Sequence, residues 1–209
     1  MSESRYHRRL IVLLPVCFSL FACSGVLNSD KPAGKTFWLK PYEGQQTGEN
    51  ASGLAGLSLV FEVVPGLDSD HLLTLDANAE LNHFAAARWP DYLPEFAGSL
   101  VRRSLQNSGL WSRVSMAGEG EPEDCELALE AQEFHTIIDG SGRPVSVRMT
   151  LAGVYDCHGA QGRVDAVSSL PVNGGGLAAI VAAHQQAFNQ QMRSLVDQLR
   201  VLGDAADPG

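Results

Sequence analysis

Two stretches of alternating apolar and polar residues, placed symmetrically about a turn, constrain the fold of this chain more than any other feature. The first runs from Cys125 to His135 and the second from Val145 to Cys157. Side chains alternate with period two in both stretches, which is the pattern of strands with one buried face. The connection at 139–144 reads DGSGRP and is rich in turn-forming residues. The sequence therefore predicts a long β-hairpin.

This hairpin brings two cysteines together. Ser141 lies midway between Cys125 and Cys157 in the sequence, and both cysteines belong to the apolar face. In a hairpin that is symmetric about Ser141 they are directly opposed, with Cβ atoms about 4.5–5.5 Å apart, close to disulfide geometry. The spacing predicts a Cys125–Cys157 disulfide, provided that no bulge displaces the register. Two reduced, buried cysteines are the alternative.

The rest of the chain contains two helices and several short strands. Apolar residues recur every three or four positions at 91–107, just after Pro90, and again at 177–202. Short strand patterns precede and separate these helices at 36–41, 57–64, 71–76, 80–86, 111–116 and 163–172. Their order predicts one α+β domain over 36–202, with two main helices packed on a mostly antiparallel sheet. Residues 203–209 are expected to form a disordered tail.

The N-terminus has the organisation of an export signal. Residues 1–9 hold three arginines and one acid, and an uncharged apolar run follows at 10–22. A membrane-spanning helix needs about 20 residues, so this run is too short to cross a bilayer. A basic start, a short apolar core and a small residue at its end are typical of a secretory signal peptide. We expect removal of 1–22, with a buried core helix as the alternative, and a polar tether over 23–35.

The end of this signal resembles the lipobox of bacterial lipoproteins, with Leu20, Ala22 and Cys23 in the matching positions. The resemblance implies that the chain is cut before Cys23 and that the Cys23 thiol carries lipid; a plain cleaved signal is the alternative. Several acyl chains give stable anchoring where one does not. Ser24, not Asp, follows the cysteine. By analogy with enterobacterial lipoproteins, we expect a protein on the periplasmic face of the outer membrane of a Gram-negative cell.

The charge balance excludes some partners. The chain carries a formal net charge of −9. Nucleic-acid binding depends on a surplus of Lys and Arg that releases counterions from phosphates, so no nucleic-acid partner is expected. An acidic body is not attracted to anionic lipid either, so the acyl chains must hold the protein at the membrane.

No arrangement of residues indicates chemistry. The sequence has no HExxH, CxxC, G-x-S-x-G or P-loop pattern. We therefore expect no enzyme, no catalytic residues, no cofactor and no metal. The aromatic residues Phe37, Trp38 and Trp89 are candidate interface residues, with structural packing as the alternative.

A set of short motifs follows Cys23 in a recognisable order. They are FWLKP at 37–41, PGLD at 65–68, AARW at 86–89 and SGLW at 108–111, and a late amphipathic helix closes the domain. This order of elements over 23–202 is similar to that of the ABC-type transport auxiliary lipoproteins, which include the paraquat-inducible protein C-like lipoproteins.

The resemblance implies a function by association. Such lipoproteins accompany an ABC permease, an ATPase and mammalian-cell-entry (MCE) domain proteins, which together move phospholipid or other hydrophobic molecules between the inner and outer membranes. The lipoprotein would dock the periplasmic MCE assembly at the outer membrane, as a single copy or as a homo-oligomer. One alternative is a lipoprotein subunit of another envelope assembly, such as lipopolysaccharide assembly or secretion. The other is a membrane-tethered periplasmic hydrolase.

Overall fold

A computed structural model describes residues 34–44, 56–120 and 122–206. The predicted signal peptide at 1–22, the lipidation site Cys23 and all but the last two residues of the predicted tether at 23–35 lie outside the described residues, as do 207–209. Within the described ranges, no helix is both long and apolar enough to cross a membrane.

Eight strands and two helices make up the described part of the chain. In chain order they are β1 (Lys35–Thr36), β2 (Leu57–Val63), β3 (His71–Leu75), β4 (Leu81–Arg88), α1 (Leu93–Ser108), β5 (Val114–Met116), β6 (Cys125–Ile138), β7 (Pro144–Cys157), β8 (Ala160–Pro171) and α2 (Gly176–Ala206).

The predicted hairpin is confirmed as β6 and β7, which pair antiparallel with Cys125 opposite Cys157. A disulfide joins the two cysteines, whose Cα atoms are 4.2 Å apart. The register is nevertheless interrupted twice, first between Ala131 and Glu133 on β6 and then near the turn. The first interruption places an extra residue on β6, and the second leaves Val145 as the extra residue on β7. The two bulges cancel, so the symmetric count from Ser141 still holds at the cysteines.

The long strand β6 pairs with three other strands of the sheet. Along one edge it pairs with β7, which in turn pairs with β8, a strand that includes most of the strand pattern predicted at 163–172. Along its other edge it pairs first with β2 and then with β3, both parallel to it. Four of the seven strand pairs among the described residues are parallel. The prediction of a mostly antiparallel sheet is therefore wrong: the sheet is mixed.

Each helix differs slightly from its predicted range. Helix α1 begins at Leu93 rather than beside Pro90, because Pro94 is the proline that occupies its first turn. It ends at Ser108 and is followed by Gly109, whose φ of 70° is the left-handed conformation that favours glycine after a helix end. Helix α2 continues past Gly203, where its end was predicted, and reaches Ala206.

Both helices pack on one face of the sheet, as predicted for an α+β domain. Helix α1 lies against β2 and β5, helix α2 lies against β7 and β8, and the helices contact each other. Gly98 permits close packing of α1, since a Cβ there would lie 3.2 Å from the ring of Phe61. The core between helices and sheet includes the fully buried Leu105, Leu127, Met149 and Phe188. The opposite sheet face, which we call the outer face, is covered by no described helix.

Candidate interaction surface

The segment that leads from the N-terminus into the domain, 37–44, is tied to both helices. The backbone N–H of Phe37 donates to the carbonyl of Arg88 on β4 over 2.8 Å. The backbone N–H of Tyr42 donates to Ser104 Oγ of α1 over 3.0 Å, and Asn107 donates to the Tyr42 carbonyl. The side chains of Leu39 and Tyr42 are buried. The segment therefore has a fixed position on the domain rather than hanging from it.

Gln185 of α2 makes the tightest of these attachments. Its Oε1 accepts from the backbone N–H of Lys40 at 2.7 Å, and its Nε2 donates to the Lys40 carbonyl at 3.0 Å. The side-chain amide of Gln185 thus makes the two backbone hydrogen bonds to Lys40 that a neighbouring strand would otherwise make. Gln198, also on α2, forms the same pair of hydrogen bonds with the backbone of Asp165 on β8. Sequence reasoning missed both glutamines, because a glutamine on a helix carries no local signal of its distant partner.

The three aromatic residues predicted as interface candidates have three different environments. Trp38 is 61% exposed, Phe37 is half-buried, and Trp89 is 3% exposed. For Trp89 the interface prediction is wrong and the alternative, structural packing, holds. Its ring stacks on Phe96 at 5.3 Å and meets Phe134 edge-on at 5.7 Å. Burial of this kind depends on the neighbours that the fold supplies, which short motifs do not reveal.

Trp38 is the exposed residue of the three, and its ring packs against another aromatic ring. It meets Phe96 of α1 edge-on, with ring centroids 6.2 Å apart. Beside it lies a recess of about 260 Å³, lined by Trp38, Pro90, Asp91, Glu95, Phe96, Ser99, Leu100 and Arg103. Tyr92, which follows Asp91 in the chain, is 54% exposed. Exposed aromatic residues surrounded by a polar rim are typical of protein interfaces, and Trp38 with its recess fits that description.

Beneath this surface lies a buried aromatic cluster that includes a histidine. His184 of α2 contacts the rings of Trp89 and Phe134, with centroids 5.3 Å and 5.8 Å away. Its Nδ1 lies 2.9 Å from the carbonyl oxygen of Ile180, to which it donates. Burial lowers the pKa of His184 to about 4, partly opposed by this hydrogen bond and reinforced by nearby His135. His184 is therefore neutral near pH 7 and serves packing.

We expect this histidine to make the fold sensitive to acid. Because the pKa of His184 is about 4 in the folded state and 6.5 ordinarily, protonation favours the unfolded state. Its contribution is complete above pH 6.5 and is lost as the pH falls from 6.5 towards 4, by about 1.4 kcal/mol per pH unit and about 3 kcal/mol in total. Urea unfolding at pH 7 and pH 4.5 measures the loss.

The matched variant for this prediction is His184→Asn, which keeps a donor near the position of Nδ1. Other groups titrate in both proteins, so the test compares how steeply the free energy of unfolding depends on pH in wild type and in the variant. We expect the variant to be less stable than wild type at pH 7 but to lose less stability on acidification. Equal slopes would show that His184 is not the group responsible.

Metal-ligating side chains come together at one place in the described ranges. The ligand atoms of Cys125, Cys157 and His158 lie within 4.8 Å of one another. Both sulfurs belong to the disulfide. Cysteine binds metals as a thiolate, and a disulfide has no thiolate. The imidazole of His158 is therefore the one ligand that this group could offer to an ion. The group carries no metal site.

Comparison with known proteins supports both the fold and the family resemblance. The family model described as "ABC-type transport auxiliary lipoprotein component" matches residues 44–196. The crystal structure of a Xanthomonas campestris protein of the DUF330 family is similar, with a TM-score of 0.72 and 17% identity over 84% of this chain and 100% of that chain. A second crystal structure, of an uncharacterized protein, gives 0.60 and 13% over 80% and 99%. At such identities the likeness concerns the fold alone. No curated protein matches this sequence.

Proposed function

This chain belongs to the ABC-type transport auxiliary lipoprotein family, and from that premise we propose that it serves an ABC transporter that works with MCE-domain proteins. The system would move phospholipid or other hydrophobic molecules between the inner and outer membranes. The protein contributes no catalytic step to this transport. Its role is to hold the periplasmic MCE assembly at the outer membrane.

The anchor in this proposal is lipid on Cys23. The basic start, the short apolar run and the lipobox-like end of the N-terminal segment support it. The acidic charge of the chain also supports it, because electrostatic attraction to anionic lipid cannot supply the attachment. Ser24 in place of Asp favours the outer membrane over the inner membrane.

The exposed Trp38 is the observation that carries the docking role. Its backbone neighbours are fixed to both helices, and its ring rests on Phe96. The tether from Cys23 to Trp38 is short, and fully extended it spans at most about 50 Å. A partner that binds at Trp38 is therefore held close to the membrane that carries the acyl chains. Exposed tryptophans are enriched among residues that dominate binding energy.

We expect Trp38→Ala to weaken partner binding without unfolding the domain. Truncating a central interface tryptophan typically costs about 2 kcal/mol or more of binding, about a thirty-fold loss of affinity. An exposed side chain contributes about 0.5 kcal/mol or less to stability. The measurement is affinity purification of the lipidated protein from membranes, with quantification of the MCE-domain protein that accompanies it.

Val201→Ala is the matched control, because Val201 is 69% exposed on α2 and has no role in the proposed interface. Recovery of wild-type protein without any MCE-domain partner would contradict the proposed function. Equal recovery of that partner by wild type and Trp38→Ala would leave the function standing but remove Trp38 from the interface.

A further inference from the structure

The outer face of the sheet is a second candidate interaction surface. Register places its side chains in rows that cross the strands β2, β6, β7 and β8. The row Val60, Ala128, Val154 and Arg163 is mainly apolar, and Val154 is 45% exposed. These residues line a groove of about 700 Å³ in the middle of the face. Small side chains, among them Ala128 and Ala152, form its floor.

Acidic rows flank this apolar row on both sides. On one side Glu62 of β2 is the register partner of Glu130 on β6, and Asp165 on β8 lies in the same row. On the other side Glu126 of β6 is directly opposite Asp156 of β7. Neighbouring strands are about 4.8 Å apart. Two pairs of like charges thus face each other at the distance where sheets usually place opposite charges.

These carboxylates have little charge compensation in the described part of the chain. None of the five forms an ion pair with a described residue. Among the described residues, Glu130 and Asp156 receive a hydrogen bond only from the neutral side-chain amides of Gln132 and Gln161, respectively. Arg163 is the one cation within these three rows. Directly opposed like charges destabilise a sheet, so the folded chain bears a cost that a cationic occupant would remove.

The charge of the face decides which occupant fits. Five carboxylates repel nucleic acid and the anionic surface of a membrane. An apolar row between acidic rows is complementary to a protein segment with apolar side chains flanked by Lys and Arg. We propose that the outer face docks such a basic segment of a protein partner. The inference rests on the proposed function, because it assigns chemistry to a part of the partner assembly that the Trp38 surface does not contact.

A defined probe tests this docking. We expect the full chain, in nonionic detergent, to bind a fluorescein-labelled peptide of alternating Lys and Val in an anisotropy titration at low salt. Glu62→Gln combined with Glu130→Gln removes one like-charge pair and should weaken binding about ten-fold. The same variant should melt about 1–2 °C higher than wild type, because the repulsion is gone. A loss of binding in a more stable protein cannot come from misfolding.

The matched control is Glu43→Gln combined with Asp68→Asn, two exposed acids that do not line the groove. It makes the same change in net charge and should bind the peptide as wild type does. Equal weakening in both variants would mean general attraction to an acidic protein and would overturn the inference, as would no binding at all. If the peptide does not bind but an MCE-domain protein still co-purifies with the chain, only this inference is wrong and the proposed function stands. If the peptide binds but no MCE-domain protein co-purifies, only the proposed function is wrong and this inference stands.

Discussion

Replacing Cys23 with alanine is expected to move the protein from the membrane fraction to the soluble periplasmic fraction almost completely. Each buried CH₂ of an acyl chain contributes about 0.8 kcal/mol to membrane binding, so losing several chains removes the whole attachment. The acidic chain offers no electrostatic substitute. The variant should be exported behind an ordinary cleavable signal, since an uncleaved apolar run would itself hold the protein at the membrane. Sucrose-gradient fractionation measures the distribution.

Cys17 supplies the control for this experiment. It lies in the apolar run that is expected to be removed with the signal, so Cys17→Ala should stay at the outer membrane. Firm outer-membrane attachment of the Cys23→Ala protein would show that something other than lipid on Cys23 anchors the chain.

Removing the disulfide is expected to be the largest change in the stability of the domain itself. The bond joins residues separated by 32 positions in sequence, and the chain-entropy model gives about 4 kcal/mol for a loop of this size. For a chain of this length that corresponds to a fall in melting temperature of about 10 °C. Cys125→Ala combined with Cys157→Ala shows the effect in thermal or urea unfolding.

Chemical reduction separates the cross-link from the side chains. Both cysteines are buried, so the double variant also loses packing. Wild type in reducing agent keeps the sulfurs and loses only the bond, and we expect it to account for most of the change, while the double variant does not respond to the reductant. A reduced wild type that melts within about 2 °C of the oxidised protein would contradict a stabilising role for the bond.

The sequence predicted local features of the fold well and distant pairings poorly. Alternation and a turn are enough to define β6 and β7, since each is visible within a short stretch of the chain. The counting argument from Ser141 succeeded although it assumed no bulge: two bulges of opposite sense restored the register. Val145 shows the limit of the pattern, because alternation puts it on the same face as Cys157, yet it lies at the second bulge and is exposed.

The parallel pairs escaped prediction for a physical reason. Strands β2 and β3 lie end to end along the same edge of β6, which follows them only after β4, α1 and β5. Alternation states that a strand has a buried face, but it does not state which strand lies beside it. The family resemblance supplied the order of elements and no pairing, so the direction of these contacts came from the structure.

The sequence likewise predicts only part of the candidate site. The motif at 37–41 drew attention to Trp38, but the same reasoning selected Trp89, which lies in the core. Gln185, which holds the segment in place, gave no signal. The opposed acids Glu62 and Glu130 could not be recognised as neighbours before β2 was known to pair with β6.

A photoreactive amino acid at position 38 tests the central claim most directly. The protein would be made with this residue in intact cells, irradiated, and its cross-linked products identified by mass spectrometry, with the same residue at exposed position 201 as the reference. We expect a cross-link from position 38 to an MCE-domain protein and none from position 201. Cross-links from position 38 exclusively to subunits of another envelope assembly, such as lipopolysaccharide assembly or secretion, would contradict it.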